Sequence, residues 1–473
     1  MNLHLTILLA YSAVLMGIGL WIGRRVRDVN DFFVAGRRLG PSLLFSTMLA
    51  ANIGAGSTVA AAGLGYADGL SAWWWVGSAG LGSLVLAFWI GPRMRRLAAK
   101  HQFRTLGDYL EFRFGEGVRA TTSVLMWFCT LALLAAQLIG IGWVLNVVIG
   151  IDRWVGSVIG GVVVIVYFSA GGLLTAAWIN LIQLVVLLAG FLFALPLAIN
   201  TAGGLDQIYN ATRSIDHYWN VWEGGQSGWF YLVAPGLSFI VSPGLIQKVY
   251  GARDDRTVRL GVALNGVILL LFAAIPPLFG IIARSMHPSL SDSALALPTV
   301  LIDSVPPAIG ALGLAALFSA EVSSSDAILF MLATSLSQDL YRRFVNPNAS
   351  DQQVLSVARS AAIAGGLLGI GIAIVAVSLE SVLLVFYSFL TVSLFVPVLV
   401  GLFTRYPGAT EAYGAIISGV VLFIWAQLVT GGDRVLGMTP PIIGLIGAAV
   451  GCGVVAWIRR RQQTTTIAAG RNR

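Results

Sequence analysis

Apolar runs long enough to cross a bilayer recur thirteen times along this chain, and no other feature limits its fold so strongly. A helix needs about 20 apolar residues to span roughly 30 Å of hydrocarbon. Such runs lie near residues 3 to 23, 42 to 66, 70 to 92, 120 to 149, 154 to 170, 173 to 199, 228 to 249, 257 to 283, 305 to 340, 355 to 378, 381 to 404, 410 to 430 and 439 to 458. Of the 473 residues 57% are hydrophobic and only 11% charged, a balance that excludes a soluble domain. The strand alternation of an outer-membrane barrel is absent, so the expectation is an all-α membrane protein, multi-pass in a cell membrane, of the bacterial inner-membrane kind.

The basic residues orient the spans, because cytoplasmic loops retain Lys and Arg. With the N-terminus outside and the C-terminus cytoplasmic, the inner loops hold GRRVRDVNDFFVAGRR, GPRMRRLAAKHQFRTLGDYLEFRFGEGVR, QKVYGARDDRTVR, YRRFVNPNASDQQVLSVAR, Arg405 and the tail RRRQQTTTIAAGRNR. Of 29 basic residues, only Arg153, Arg213, Arg284 and Arg434 then fall outside. Adding or dropping one span would swap the sides of every later loop, so the asymmetry supports the count of thirteen. The net charge of +8 reads as topology, with no nucleic-acid footprint.

The N-terminal run leads into a basic loop without a small-residue cleavage site, so it is expected to stay as a helix. Cys129 and Cys452 fall within spans and read as small buried residues. The four histidines, at 4, 101, 217 and 287, are scattered over termini and loops and form no enzymatic constellation.

Polar or glycine-rich interruptions inside spans mark functional backbone, since unwound chain at membrane depth must line a cavity or hold a ligand. One is MLAANIGAGSTVAAAG, residues 48 to 63, where Gly54 and Gly56 stand beside Asn52, Ser57 and Thr58; a plain small-residue helix contact is the alternative reading. Another is VAPGLSFIVSPGLIQKVYGARDD, residues 233 to 255, where Pro235 and Pro243 each remove a helix hydrogen bond. Five spans separate the starts of these two segments, an odd number that inverts the second set relative to the first. A further stretch, LFSAEVSSSDAILF at 317 to 330, places Glu321, three serines and Asp326 in an apolar run.

The pieces DFFVAGRRLG, AANIGAGS, GGLLTAAWINLIQ, IQKVYGARD, SAEVSSSD followed by SLSQDLYRRF, and FVPVLVGLF resemble, in order and spacing, the sodium/solute symporter family of sugar, proline, sialic acid, iodide and pantothenate carriers. The resemblance covers about residues 30 to 425. It implies the LeuT-type fold in one transporter domain over 1–473: an extra first helix and basic loop (1–40), repeat one (41–199), an outer loop (200–227), an inverted repeat two (228–404), then two accessory helices and a tail (405–473). It also implies sodium as the coupling ion and no other cofactor. The sodium ligands carried over are the backbone carbonyls of Ala50, Ile53 and Ala320 and the hydroxyls of Ser323 and Ser324. At roughly 100° per residue, Ala320, Ser323 and Ser324 share one helix face.

Some family members hold a second sodium with an aspartate where this chain has Asn180. Asp326, about 60° from Ser323 on a helix, either replaces that charge or is a hydrogen-bonded structural group. An ionisable group at bilayer depth is costly and marks a pathway or a partner. For Glu321 the sequence offers no choice between a neutral buried acid, a paired one and a proton-linked site.

By resemblance the solute lies between the two broken helices, with Gly54, Gly56, Ser57, Thr58, Trp74 of the Trp73–Trp75 cluster, Phe239, Ser242 and Tyr387 as candidates. No Lys or Arg is expected at that depth, so a bound carboxylate would rely on half-helix amides. The expected function is sodium-coupled symport of a small organic solute, a monocarboxylate or amino acid, by alternating access in a lipid bilayer. The expected partners exclude nucleic acid; a monomer suffices for function and the oligomeric state is open. A proton-coupled or uncoupled carrier on the same scaffold is the alternative. A sensor is disfavoured, because only about 15 residues follow the last span.

Overall fold

The computed structural model describes residues 37–168, 173–376, 378–435 and 437–471, with a few positions ahead of Arg37. Of the apolar run at 3 to 23, only Thr6, Ala10, Ala13, Val14 and Gly17 are among the described residues. Among the described residues, nine helical stretches are long and apolar enough to cross a bilayer. A tenth is added if Val185–Thr201 and Leu205–Thr212, bent by 69°, count as one. The run at 154 to 170 forms the shorter helix Arg153–Phe168, 16 residues long.

Burial is inverted relative to a water-soluble protein. Phe88, Trp89, Phe128, Phe193, Leu271 and Leu428 stand exposed on helix faces, while Ser323, Ser324, Glu321 and Asp326 are buried. An apolar exterior around a polar centre is the arrangement that hydrocarbon solvent demands.

Two helices near this centre are broken. The first runs Pro41–Asn52, with Pro at its first turn, and stops at Ile53, whose φ −105° and ψ 103° are extended. Helix resumes as a π-turn at Gly56–Ala60 and continues through Ala61–Asp68. The second consists of Pro235–Val241 and Pro243–Tyr250, meeting at Ser242 with φ −56° and ψ 122°. Each of its prolines occupies a first helical turn, where the missing N–H has no intrahelical role. Pro235 therefore begins a helix, where the sequence reading had a break within one, and Pro243 alone marks the interruption.

The 28-residue helix Pro307–Thr334, here called the serine helix, passes beside both breaks. Small residues bring its neighbours close: a Cβ on Gly190 of Leu173–Thr201 would come within 2.7 Å of the Ala316 methyl. Close glycine-mediated approach is how membrane helices gain packing energy without a hydrophobic driving force.

At one end of the bundle, buried Arg119 pairs with Asp108 at 2.9 Å, Glu111 at 2.7 Å and Asp339 at 2.7 Å, and Thr105 Oγ1 donates to Asp339 at 2.5 Å. At the other end a hairpin, Glu223–Gly224 paired with Ser227–Gly228, closes over Asp68, which accepts from Ser227 Oγ at 2.6 Å. Outside the spans, Asp254 caps Asp255–Phe272 by accepting from the Thr257 amide at 2.7 Å, a bond that holds its carboxyl below the usual carboxylate range.

Candidate ion and solute site

Breaking a helix frees backbone carbonyls that must find other partners. After Asn52 the Ile53 amide still bonds Leu49 O at 2.9 Å, and the carbonyls of Ala50 and Ile53 turn toward the serine helix. There Ser324 Oγ lies 3.1 Å from Ala50 O and 2.9 Å from Ile53 O, and Ser323 Oγ lies 3.5 Å from Ala50 O. Ala320 is one turn earlier on the same helix. The structure thus brings Ala50, Ile53, Ser323 and Ser324 to one point, and all are buried. Uncharged oxygens in this arrangement suit a hard cation with ligand distances near 2.4 Å. A Ser324 hydroxyl that swings its proton away presents a lone pair to the same point as the two carbonyls.

The remaining polar groups of the break are paired. Gly54 N donates to Ser57 Oγ at 3.0 Å, Ala55 N donates to Gln137 Oε1 at 2.8 Å, and Gly54 O accepts from the amides of Ser57 and Thr58 at 3.0 Å. Trp75 Nε1 donates to Gly56 O at 2.7 Å. Neither Gly54 nor Gly56 has a positive φ. Their lack of a Cβ matters through space: at Gly54 a Cβ would fall on Gln137 Oε1 and Ser324 Oγ, and at Gly56 it would meet Leu383 Cδ1 at 3.1 Å. Gly65 is a packing glycine, its missing Cβ leaving room for the Pro277 backbone.

A cavity of about 60 Å³ lies between the two breaks. Gly54, Gly56, Ser57, Phe239, Ser242 and Tyr387 line it, together with Gln137 and Lys248. Two candidates lie elsewhere. Thr58 Oγ1 turns away to Gly54 O at 2.8 Å and Glu321 Oε1 at 3.1 Å. Trp74 points outward, donating to Val221 O at 2.9 Å and packing on Trp222, so the member of the tryptophan cluster beside the break is Trp75, which stacks edge-on against Tyr387.

Lys248 overturns the expectation that no basic side chain reaches this depth. Assigned from sequence to an inner loop, it lies in the helix Pro243–Tyr250, is 4% exposed and lines the cavity. It attracts Asp326 on the serine helix electrostatically, though the two are not within 4 Å ion-pair contact. The side chain of Asn180 lies outside the described residues. Glu321 is fully buried behind the first break, with Oε2 unpaired and pressed toward Gly140.

Gln137 and Lys248 are the residues that sequence reasoning missed. Gln137 had a signal, being the lone amide in the apolar run LALLAAQLIGIG, whereas Lys248 was obscured by the charged segment that follows it.

The model of the sodium:solute symporter family matches residues 32–421. The chain is 25% identical to the sodium/pantothenate symporter of Escherichia coli (strain K12), covering 93% of each. It is 24% identical to the sodium/glucose cotransporter of Vibrio parahaemolyticus over 75% of this chain and 71% of that one. Among solved structures, a Na+-coupled sialic acid symporter superposes with a TM-score of 0.80 at 20% identity, covering 96% of this chain and 97% of the other. The superposition makes the fold LeuT-like, and the family and these relatives are transporters. With its match running from residue 32 to residue 421, this chain belongs to the sodium:solute symporter family and is a multi-pass membrane transporter.

Proposed function

We propose that the protein couples the inward movement of one sodium ion to that of a small organic solute, a monocarboxylate or amino acid, by alternating access. The observation that carries this reading is the meeting of the Ser324 hydroxyl with Ala50 O and Ile53 O at a helix break. In it, sodium is held by the carbonyls of Ala50, Ile53 and Ala320 and the hydroxyls of Ser323 and Ser324. The scaffold is a five-plus-five inverted repeat, 41–199 and 228–404, within thirteen spans, the N-terminus outside and the C-terminus cytoplasmic. The solute occupies the cavity between the breaks, whose lining touches the sodium ligand Ser324. A shared wall lets occupancy at one site alter affinity at the other, the free-energy coupling that symport requires.

Asp326 does not act as a second sodium ligand in this reading, because Lys248 already supplies its countercharge. Replacing Ser323 and Ser324 together by Ala should abolish sodium-induced thermal stabilisation of the purified protein while leaving it folded. Unchanged sodium binding in that variant rejects the site. Calorimetric titration should give one sodium per protein for both wild type and Asp326→Asn. A value above one in wild type that falls to one in the variant would establish the second ion. Uptake driven by a proton gradient in sodium-free medium would favour the proton-coupled alternative.

A further inference from the structure

We propose that Lys248 is the anchor for an anionic solute, a small monocarboxylate, held together with the hydroxyls of Ser242 and Tyr387. This rests on the symport reading above and names the solute class for its cavity.

Lys248, Ser242 and Tyr387 line one cavity, and among the described residues none of the three side chains makes a hydrogen bond within the protein. Most other polar lining groups are engaged: Gln137 Oε1 accepts from Ala55, Ser57 bonds Gly54, Ser238 donates to Pro235 O at 2.7 Å, Asn52 Nδ2 donates to Asn265 at 3.1 Å, and Ser324 Oγ meets Ala50 O and Ile53 O. The open groups of Lys248, Ser242 and Tyr387 can all donate, and the ammonium can do nothing else. An ammonium has three protons to give and no lone pair, so the missing group is an acceptor. A buried donor without one is costly, and a carboxylate satisfies several at once through charge-assisted bonds.

Asp326 does not fill this role. It lies beyond ion-pair contact of Lys248 and is not part of the cavity lining. Its charge lowers the cost of burying the ammonium while leaving the Lys248 donors free for a ligand. The charge balance then explains coupling. Lys248 and Asp326 cancel; a sodium ion at Ser324 adds one positive charge, and a carboxylate beside Lys248 removes it. Each cargo neutralises the other in a medium that penalises net charge.

Size narrows the class. The cavity of about 60 Å³ is well under half the ~150 Å³ that holds benzene in an engineered protein core. The aromatic wall of Phe239, Phe386 and Tyr387 suits a short hydrocarbon tail, and the donors suit a carboxylate head.

The test is a thermal-shift titration of the purified full-length protein in sodium chloride and in choline chloride. The probes are acetate, propionate, lactate and pyruvate, with acetamide, propionamide and lactamide as uncharged isosteres. At least one monocarboxylate should stabilise the wild type in sodium, and its amide should not. Lys248→Met should weaken that carboxylate on the order of tenfold to a hundredfold, as loss of a charge-assisted hydrogen bond implies, while keeping the sodium shift. The double variant Lys248→Met with Asp326→Asn leaves no lone buried charge and should fold, bind sodium and show the same carboxylate loss; Lys248→Arg should recover part of it. A sodium shift without any carboxylate shift, amides binding as well as acids, or full carboxylate affinity in the double variant would each overturn the proposal. A carboxylate shift that needs Lys248 but no sodium would keep this inference and remove the symport reading instead.

Discussion

The two broken helices are interrupted by different chemistry. At 53–55 the chain unwinds with no proline and no left-handed glycine, and the break is held by bonds from three distant elements: Gln137, Trp75 and Ser324. At Ser242 the interruption is local, since Pro243 has no N–H to donate back and begins a new helix by its own geometry. The first break is thus conditional on its neighbours, and the second is built into the chain. A conditional break can respond to an ion that bridges it to the serine helix. A built-in break can carry a fixed charge, Lys248, beside the solute cavity.

This contrast can be broken most sharply with matched glycine substitutions. Gly54→Ala should abolish uptake and sodium-induced stabilisation, because the new Cβ meets Gln137 Oε1 and Ser324 Oγ and lies 2.6 Å from Ser324 Cβ. Overpacking of this kind costs about 1–3 kcal/mol and falls on Ser324, a proposed ion ligand. Gly244→Ala meets only the flexible thioether of Met331 and should retain most uptake. Equal losses in the two variants, measured as initial uptake rates in proteoliposomes, would show that both breaks depend alike on close packing.

A smaller effect is expected from Gln137→Ala, which leaves the Ala55 amide without its acceptor. An unsatisfied buried donor costs about 1–3 kcal/mol. Because the first break is held from outside, the loss should appear as a lower melting temperature that added sodium partly restores. If sodium gives no greater recovery than in wild type, the Gln137 bond is not part of what the ion stabilises.

The breaks themselves were legible in the sequence, as were the serines and Gly54, because prolines, glycines and hydroxyls inside apolar runs stand out; Gly56 instead opens the helix that resumes after the break. Three features were not. Trp75 and Trp74 are adjacent and alike, and what distinguishes them is the segment just before the 223–228 hairpin, which engages Trp74 through Val221 O. Lys248 stands just ahead of a charged segment, so a rule that assigns basic residues to loops places it there, whereas the helix continues to Tyr250 and buries it. The partner of Glu321 is 263 residues away in Thr58, a separation that local periodicity cannot bridge.

Glu321 supplies the finest distinction, because it stands behind the conditional break and has no counterpart at the other. Thr58 Oγ1 has a single proton, yet lies within hydrogen-bond distance of two acceptors, Gly54 O at 2.8 Å and Glu321 Oε1 at 3.1 Å. If the hydroxyl gives its proton to the nearer carbonyl, the contact with Glu321 is favourable only when the carboxyl is the donor. A carboxyl that keeps its proton satisfies both contacts, and its unpaired Oε2 against Gly140 is then a neutral atom in apolar surroundings, with far less to lose than an anion. Glu321→Gln imitates that form closely, its amide donating to Thr58 in the same direction. The variant should melt within about 1 kcal/mol of wild type and bind sodium with unchanged affinity, whereas Glu321→Leu should cost more by leaving Thr58 Oγ1 without its donor. The deciding measurement is sodium titration of wild type and Glu321→Gln at the same pH. A fall in sodium affinity of about tenfold or more in the glutamine variant would mean that Glu321 is ionised and attracts the ion through space. The first break would then differ from the second in carrying a charge of its own, opposite in sign to that of Lys248.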